Sequence, residues 1–199
     1  MPDRDQTRIR NQSILTADKK KDPAARWILA GIPFISVIGS LMHFVFEWTG
    51  GLAAAGLIAP VNESVWEHLK LIFWPALFWL VIGYPVVANK NDIPASRWFS
   101  FGAAGLYAGP LFITAFYYTY TGAFGIHSLF LDIVSFILGA AAGQFLTLHI
   151  YRCGKADRTL FCFASAAVIL LALALVLFTF SPPEIPLFRD PVTGGYGIP

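Results

Sequence analysis

His43, His68 and His127 are three of only four histidines in 199 residues, and each lies near carboxylates. Glu47 follows His43 by four positions, Glu63 and Glu67 precede His68, and Asp132 follows His127 by five. Neutral imidazole nitrogens bind zinc well, and a catalytic zinc takes three protein ligands and a water whose pKa falls toward about 7. The pattern predicts a centre for zinc or another divalent transition metal with His43, His68 and His127 as ligands. Glu63 or Glu47 would act as general base or fourth ligand, while Asp132 and Glu67 would stand behind the ligands, Asp132 orienting an imidazole.

Part of this set also has local work to do. Asn62 and Ser64 are structural caps for the helix that starts near Val65, and Glu67 has the capping-box spacing from Ser64. Glu63 falls in the first turn, where the helix dipole favours negative charge. His43 and Glu47, four apart, can satisfy each other on one helix face. Capping leaves His43, His68, His127 and Asp132 unexplained.

The elements that must position these groups follow from composition. Hydrophobic residues make up 56% of the chain and charged residues 13%, more apolar surface than a soluble domain of this length can hide. Five runs are long enough to cross a hydrocarbon core, which takes about 20 helical residues: Trp27–Trp48, Val65–Ala88, Trp98–Thr121, Ile126–Tyr151 and Thr159–Phe180. Lipid leaves an unpaired backbone group no partner, so the fold is all-α, an integral membrane bundle of five transmembrane helices. Residues 1–26 form a basic cytoplasmic segment, 27–180 the membrane domain and 181–199 an external Pro-rich tail. The first apolar run is too long for a signal-peptide core, so the N-terminus is expected to be retained.

Basic residues orient the bundle. Arg4, Arg8, Arg10, Lys19, Lys20, Lys21 and Arg26 precede the first span, Lys90 and Arg97 join the second to the third, and Arg152, Lys155 and Arg158 join the fourth to the fifth. The chain then reads N-terminus inside and C-terminus outside in the cell membrane, with Lys70 the one misfit. This orientation sends His43, Glu47, Glu63, Glu67, His68, His127 and Asp132 toward the outer face. The apolar connection Thr49–Ala59 is expected to lie in the interface or dip inward beside the site. In the tail, composition fits two outcomes: Leu187 and Phe188 tucked into the bundle mouth, bringing Arg189 and Asp190 over the polar cluster as a lid, or a disordered segment.

Other signals are structural. Gly105 with Gly109, and Gly139 with Gly143, have the spacing that lets membrane helices approach closely. Tyr117, Tyr118 and Tyr120, with Trp48 and Trp66, fit an aromatic belt. Cys153 and Cys162 lack paired-cysteine spacing and read as small buried thiols. Pro33, Pro75, Pro85 and Pro110 interrupt the first three spans and can kink them.

Three stretches carry a resemblance: His43–Trp48, the run Pro60–Lys70, and Pro182–Pro191 closing on Gly195-Tyr196-Gly197. In these the chain resembles a bacterial multi-span family, domain of unknown function 6512, over everything after the basic segment. The resemblance implies a small bacterial integral membrane protein and carries no activity, cofactor or catalytic residue. Three functions stay open: a metal-dependent membrane hydrolase, a transporter or proton relay through Asp132, Gln144 and His149, and a scaffold subunit. The expected partners are membrane lipids and a small-molecule or lipid-linked substrate, with no nucleic acid.

Overall fold

The computed structural model describes residues 22–198. Most of the basic N-terminal segment, including Arg4, Arg8, Arg10, Lys19, Lys20 and Lys21, lies outside the described residues. Helix α1 (Pro23–Met42) starts on Asp22, whose carboxylate accepts the Ala25 N–H at 3.1 Å, with Pro23 at the first position, where no donor is needed. It stops at Met42, short of the expected Trp48, where the Phe44 N–H turns to the Leu41 carbonyl three residues back (3.2 Å), and a separate turn, α2 (Val45–Trp48), follows. Gly50 and Gly51 then adopt φ of 70° and 78°, which side chains disfavour, and the chain doubles back into a short 3₁₀ turn at Ala55–Leu57.

Helix α3 (Val65–Gly83) starts on Ser64, whose hydroxyl accepts the Glu67 N–H at 3.3 Å. At its far end Pro85 has no N–H to donate, and the helix widens into a π turn over Tyr84–Ala88 and a 3₁₀ turn over Asn89–Asn91. Helix α4 (Ala95–Phe124) ends on Gly125 at φ 63°, whose N–H returns to the Thr121 carbonyl at 2.9 Å. Helices α5 (Leu129–Cys153) and α6 (Arg158–Phe180) start on Ser128 and Asp157 caps. Each of α1, α3 with its extension, α4, α5 and α6 is long and apolar enough to cross a membrane, as a membrane protein requires.

The five long helices alternate in direction. Residues 43–64, 125–128 and the tail from 181 therefore gather at one end of the bundle, called the site end below. The closest helix pair is α4 with α5, and glycines are the reason. A Cβ on Gly105 would lie 2.6 Å from the Gly143 carbonyl oxygen, and one on Gly143 would lie 2.8 Å from that of Gly105. Gly109 and Gly139 repeat the arrangement one turn on, at 3.2 Å in each direction. The backbones touch, as the four-residue spacings predict. Helix α1 packs on α3 and α5, whereas α5 barely meets α3. Only 6% of the most apolar stretch of α6 is buried in protein, which leaves its outer face to lipid.

The tail folds back over the site end. Phe188 is 5% exposed and packs on Trp66 and Phe178, with ring centroids 4.8 and 5.4 Å away. Asn62 fixes the last residues by donating to the Gly197 carbonyl at 2.7 Å. Trp66 is therefore covered by the tail rather than set in an exposed belt, and Tyr120 is buried, while Trp48 and Tyr118 are exposed. Cys153 and Cys162 are free and exposed, contrary to the buried reading.

Candidate metal centre

Three donors converge where α1 ends and α3 begins. His43 Nε2 and His68 Nε2 are 3.2 Å apart, and Glu63 Oε2 lies 3.4 Å from His68 Nε2 and 3.7 Å from His43 Nε2. A triangle with those sides has a circumradius of about 2.0 Å, so one point lies at a zinc–nitrogen or zinc–oxygen distance from all three. Among the described residues this is the one group of His, Cys, Asp or Glu whose ligand atoms come within 4.8 Å of one another. The side chains of His43, Glu63 and His68 are 35%, 48% and 30% exposed, so a bound ion would be open to water.

Local folding sets each donor. His43 caps the end of α1. Glu63 precedes the Ser64 cap, and His68 sits one turn into α3, with its Nδ1 2.9 Å from the Ser64 carbonyl oxygen. A carbonyl only accepts, so Nδ1 carries the proton and the Nε2 lone pair of the neutral ring faces Glu63 and His43. That is the tautomer a metal ligand needs, held by the outer carbonyl that ligating histidines ordinarily find.

Electrostatics tie the three side chains together through a proton. The Glu63 carboxylate holds the His43 pKa above its ordinary 6.5, against the opposing effect of burial. His43 in turn holds Glu63 below its ordinary 4.5, again against burial, and the His68 ring adds to this only in its protonated form. At 3.7 Å this is an ion-pair contact rather than a full hydrogen bond. The Glu63 contribution to stability is present above pH 4.5 and lost as pH falls through its lowered pKa, while that of His43 is present below pH 6.5 and lost as pH rises through its raised pKa. Metal-free Glu63→Gln should therefore trail the unsubstituted protein most between about pH 4.5 and 6.5 and approach it in alkali. Thermal unfolding across pH reads this directly, and a deficit of constant size from about pH 5 to 9 would contradict the pairing.

The remaining expected residues lie elsewhere. His127 is outside the triangle, exposed, with its Nδ1 3.5 Å from the Tyr117 hydroxyl. Asp132 accepts the Tyr120 hydroxyl at 2.6 Å instead of orienting an imidazole. Both follow from the glycine contacts, which commit α5 to α4 and turn its first turn away from α3. Glu47 is exposed on α2. Arg189 and Asp190 cover the His127 side of the site end rather than the triangle. For a relay, Gln144 faces an internal cavity of about 20 Å³, room for about one water, while Asp132 is engaged by Tyr120 and His149 is exposed.

Glu67 does something the sequence reading missed. Its carboxylate accepts the Lys70 ammonium at 2.6 Å, the Val61 N–H at 3.0 Å and the Thr179 hydroxyl at 3.0 Å, with Glu67 2%, Lys70 0% and Thr179 0% exposed. Lys70 also donates to the Gly56 carbonyl at 2.7 Å and to the Thr179 hydroxyl at 2.5 Å. The apolar connection dips inward only at Ala55, Gly56 and Ala59, where this buried clamp holds it, while Leu52, Leu57 and Ile58 stay exposed. By fixing Val61, two residues before Glu63, the clamp also sets the third donor.

A family model matches residues 16–198, nearly the whole chain. The chain belongs to a family of unknown function, DUF6512. No curated protein and no solved structure matches this DUF6512 chain. Its chemistry therefore has to be argued from its own residues.

Proposed function

We propose that this DUF6512 protein is a multi-pass protein of the cell membrane whose His43, Glu63 and His68 hold a zinc-class divalent ion facing outward, as in a metal-dependent hydrolase. The observation that carries this reading is the donor triangle and its circumradius of about 2.0 Å. Two imidazoles and one carboxylate are a set used by catalytic zinc, and structural zinc sites close with a fourth protein ligand that no described residue supplies here. When bound, the ion would lower the pKa of a water at the fourth position and make it a nucleophile near neutral pH. With Glu63 taken up as a ligand, exposed Glu47 is the carboxylate left for proton transfer. The half-exposed site at one end of a lipid-facing bundle suits a lipid or lipid-linked ester.

Charge supports the orientation. Lys90, Arg97, Arg152, Lys155 and Arg158 lie at the end of the bundle opposite the triangle, where Arg97 also donates to the Tyr151 carbonyl at 2.6 Å. The described basic residues at the site end are Arg189 and buried Lys70, so the site end faces outward by the positive-inside rule.

Cobalt(II) loaded in place of zinc tests the open position through its visible spectrum. The expected spectrum is four-coordinate, with bands that change around pH 7, roughly, as bound water ionises, and it is absent in Glu63→Ala. A six-coordinate spectrum indifferent to pH would sink the hydrolase reading.

A further inference from the structure

The site end carries a second feature, distinct from the metal triangle: a cavity of about 450 Å³ between the end of α4, the start of α5 and the folded-back tail. Its wall combines the Arg189 guanidinium, the His127 imidazole and the phenols of Tyr117, Tyr118 and Tyr196. Asp190 also lines it, but that acid is spent within its own turn. It is 5% exposed, one carboxylate oxygen accepts the Val192 N–H at 2.9 Å, and the other accepts the Thr193 hydroxyl at 2.6 Å. Arg189 makes no ion pair among the described residues, and its side chain is exposed. The guanidinium runs across Gly194, where a Cβ would lie 3.4 Å from Nη2, and the φ of 75° there further selects glycine. The tail is thus shaped to lay one cation over this cavity.

Depth and apolar neighbours in sequence indicate where a ligand comes from. Tyr117 is seven residues from the end of α4, about 10 Å along the axis, which is headgroup level for a spanning helix. Phe124, Leu129, Phe130 and Val192, close in sequence to the lining residues, are apolar and between 72% and 76% exposed. Exposed apolar side chains within three residues of the lining residues Thr121, His127 and Pro191, beside a cationic, hydroxyl-lined hollow, suit an amphiphile with an anionic head.

We infer that this cavity binds a phosphate-bearing anion, with Arg189 as its charge partner, His127 and the tyrosine hydroxyls as further donors, and a phospholipid headgroup as its source. A guanidinium gives phosphate two parallel hydrogen bonds, and imidazole and phenol donors complete the shell. The inference does not depend on the metal centre, since no residue of the triangle lines the cavity.

Native mass spectrometry of the full chain in a non-ionic detergent tests it with three probes: dioctanoyl phosphatidic acid, dioctanoylglycerol and inorganic phosphate. The expected result is that the phosphatidic acid binds at least about tenfold more tightly than either other probe, and that Arg189→Gln weakens it by about tenfold or more. Arg189→Lys should keep part of the affinity, because the charge stays and only the paired geometry is lost. Equal binding of phosphatidic acid and inorganic phosphate, both lost in Arg189→Gln, would support the anion site and identify a free anion as its source. Dioctanoylglycerol binding as well as phosphatidic acid, or Arg189→Gln leaving affinity unchanged, would overturn the inference.

Discussion

Lys70→Met is expected to destabilise the protein by about 3–5 kcal/mol, the cost of removing one partner from a buried ion pair. The substitution leaves the Glu67 carboxylate, 2% exposed, facing the space vacated by an ammonium that now bonds the Gly56 carbonyl and the Thr179 hydroxyl. The Gly56 carbonyl only accepts, so it cannot replace the lost donor, and the Thr179 hydroxyl already gives its one proton to this carboxylate. In a chain of this length the loss should lower the unfolding midpoint by about 10 °C. The companion variant Glu67→Met with Lys70→Met should recover most of the deficit, since an apolar pair of similar volume carries no uncompensated charge. Thermal unfolding in detergent, with limited proteolysis of the Thr49–Ala59 connection, separates the variants. A Lys70→Met midpoint within a degree or two of the unsubstituted protein would mean that the clamp does not hold the connection.

The clamp shows what sequence reasoning can and cannot reach. The five apolar helices were legible because hydrocarbon thickness fixes their length, and the glycine pairs because a four-residue spacing survives in any helix. Lys70 stood out as a misfit, yet its explanation lay in Thr179, 109 residues away, in an apolar run where one hydroxyl has no local meaning. For Glu67 the local signal pointed to a capping box. The Ser64 hydroxyl does accept the Glu67 N–H, but the carboxylate goes to Val61 and Lys70, and the Ser64 N–H is satisfied by Asn62 at 2.9 Å.

The same limit separated the histidines. His43 and His68 flank one connection, so placing them together needed only the first two long helices to be neighbours. His127 required the fourth span to face the second, and that depended on which partner α5 chose. Its glycines chose α4, and His127 went to the cavity under Arg189. The tail's composition fits a tucked Leu187 and Phe188 and a disordered segment equally well, and the packing of Phe188 on Trp66 and Phe178 decides between them. The direction in which Arg189 would then point was not legible, because it depends on the turn that Asp190 and Gly194 build.

Zinc affinity of the purified, metal-stripped protein, measured by competition with a chelator of known strength, tests the central claim most directly. His43→Ala, His68→Ala and Glu63→Ala each remove one of three donors, and each should weaken binding by at least about 100-fold, the upper range seen for losing a mere outer partner of a ligand. Affinity should also fall with decreasing pH as the imidazoles take up protons. His127→Ala, which touches Tyr117 rather than the triangle, should bind zinc as the unsubstituted protein does. One tightly held zinc per chain, lost in the three triangle variants and kept in His127→Ala, is the predicted result. Zinc retained in His43→Ala and His68→Ala, or lost in His127→Ala alone, would contradict the account.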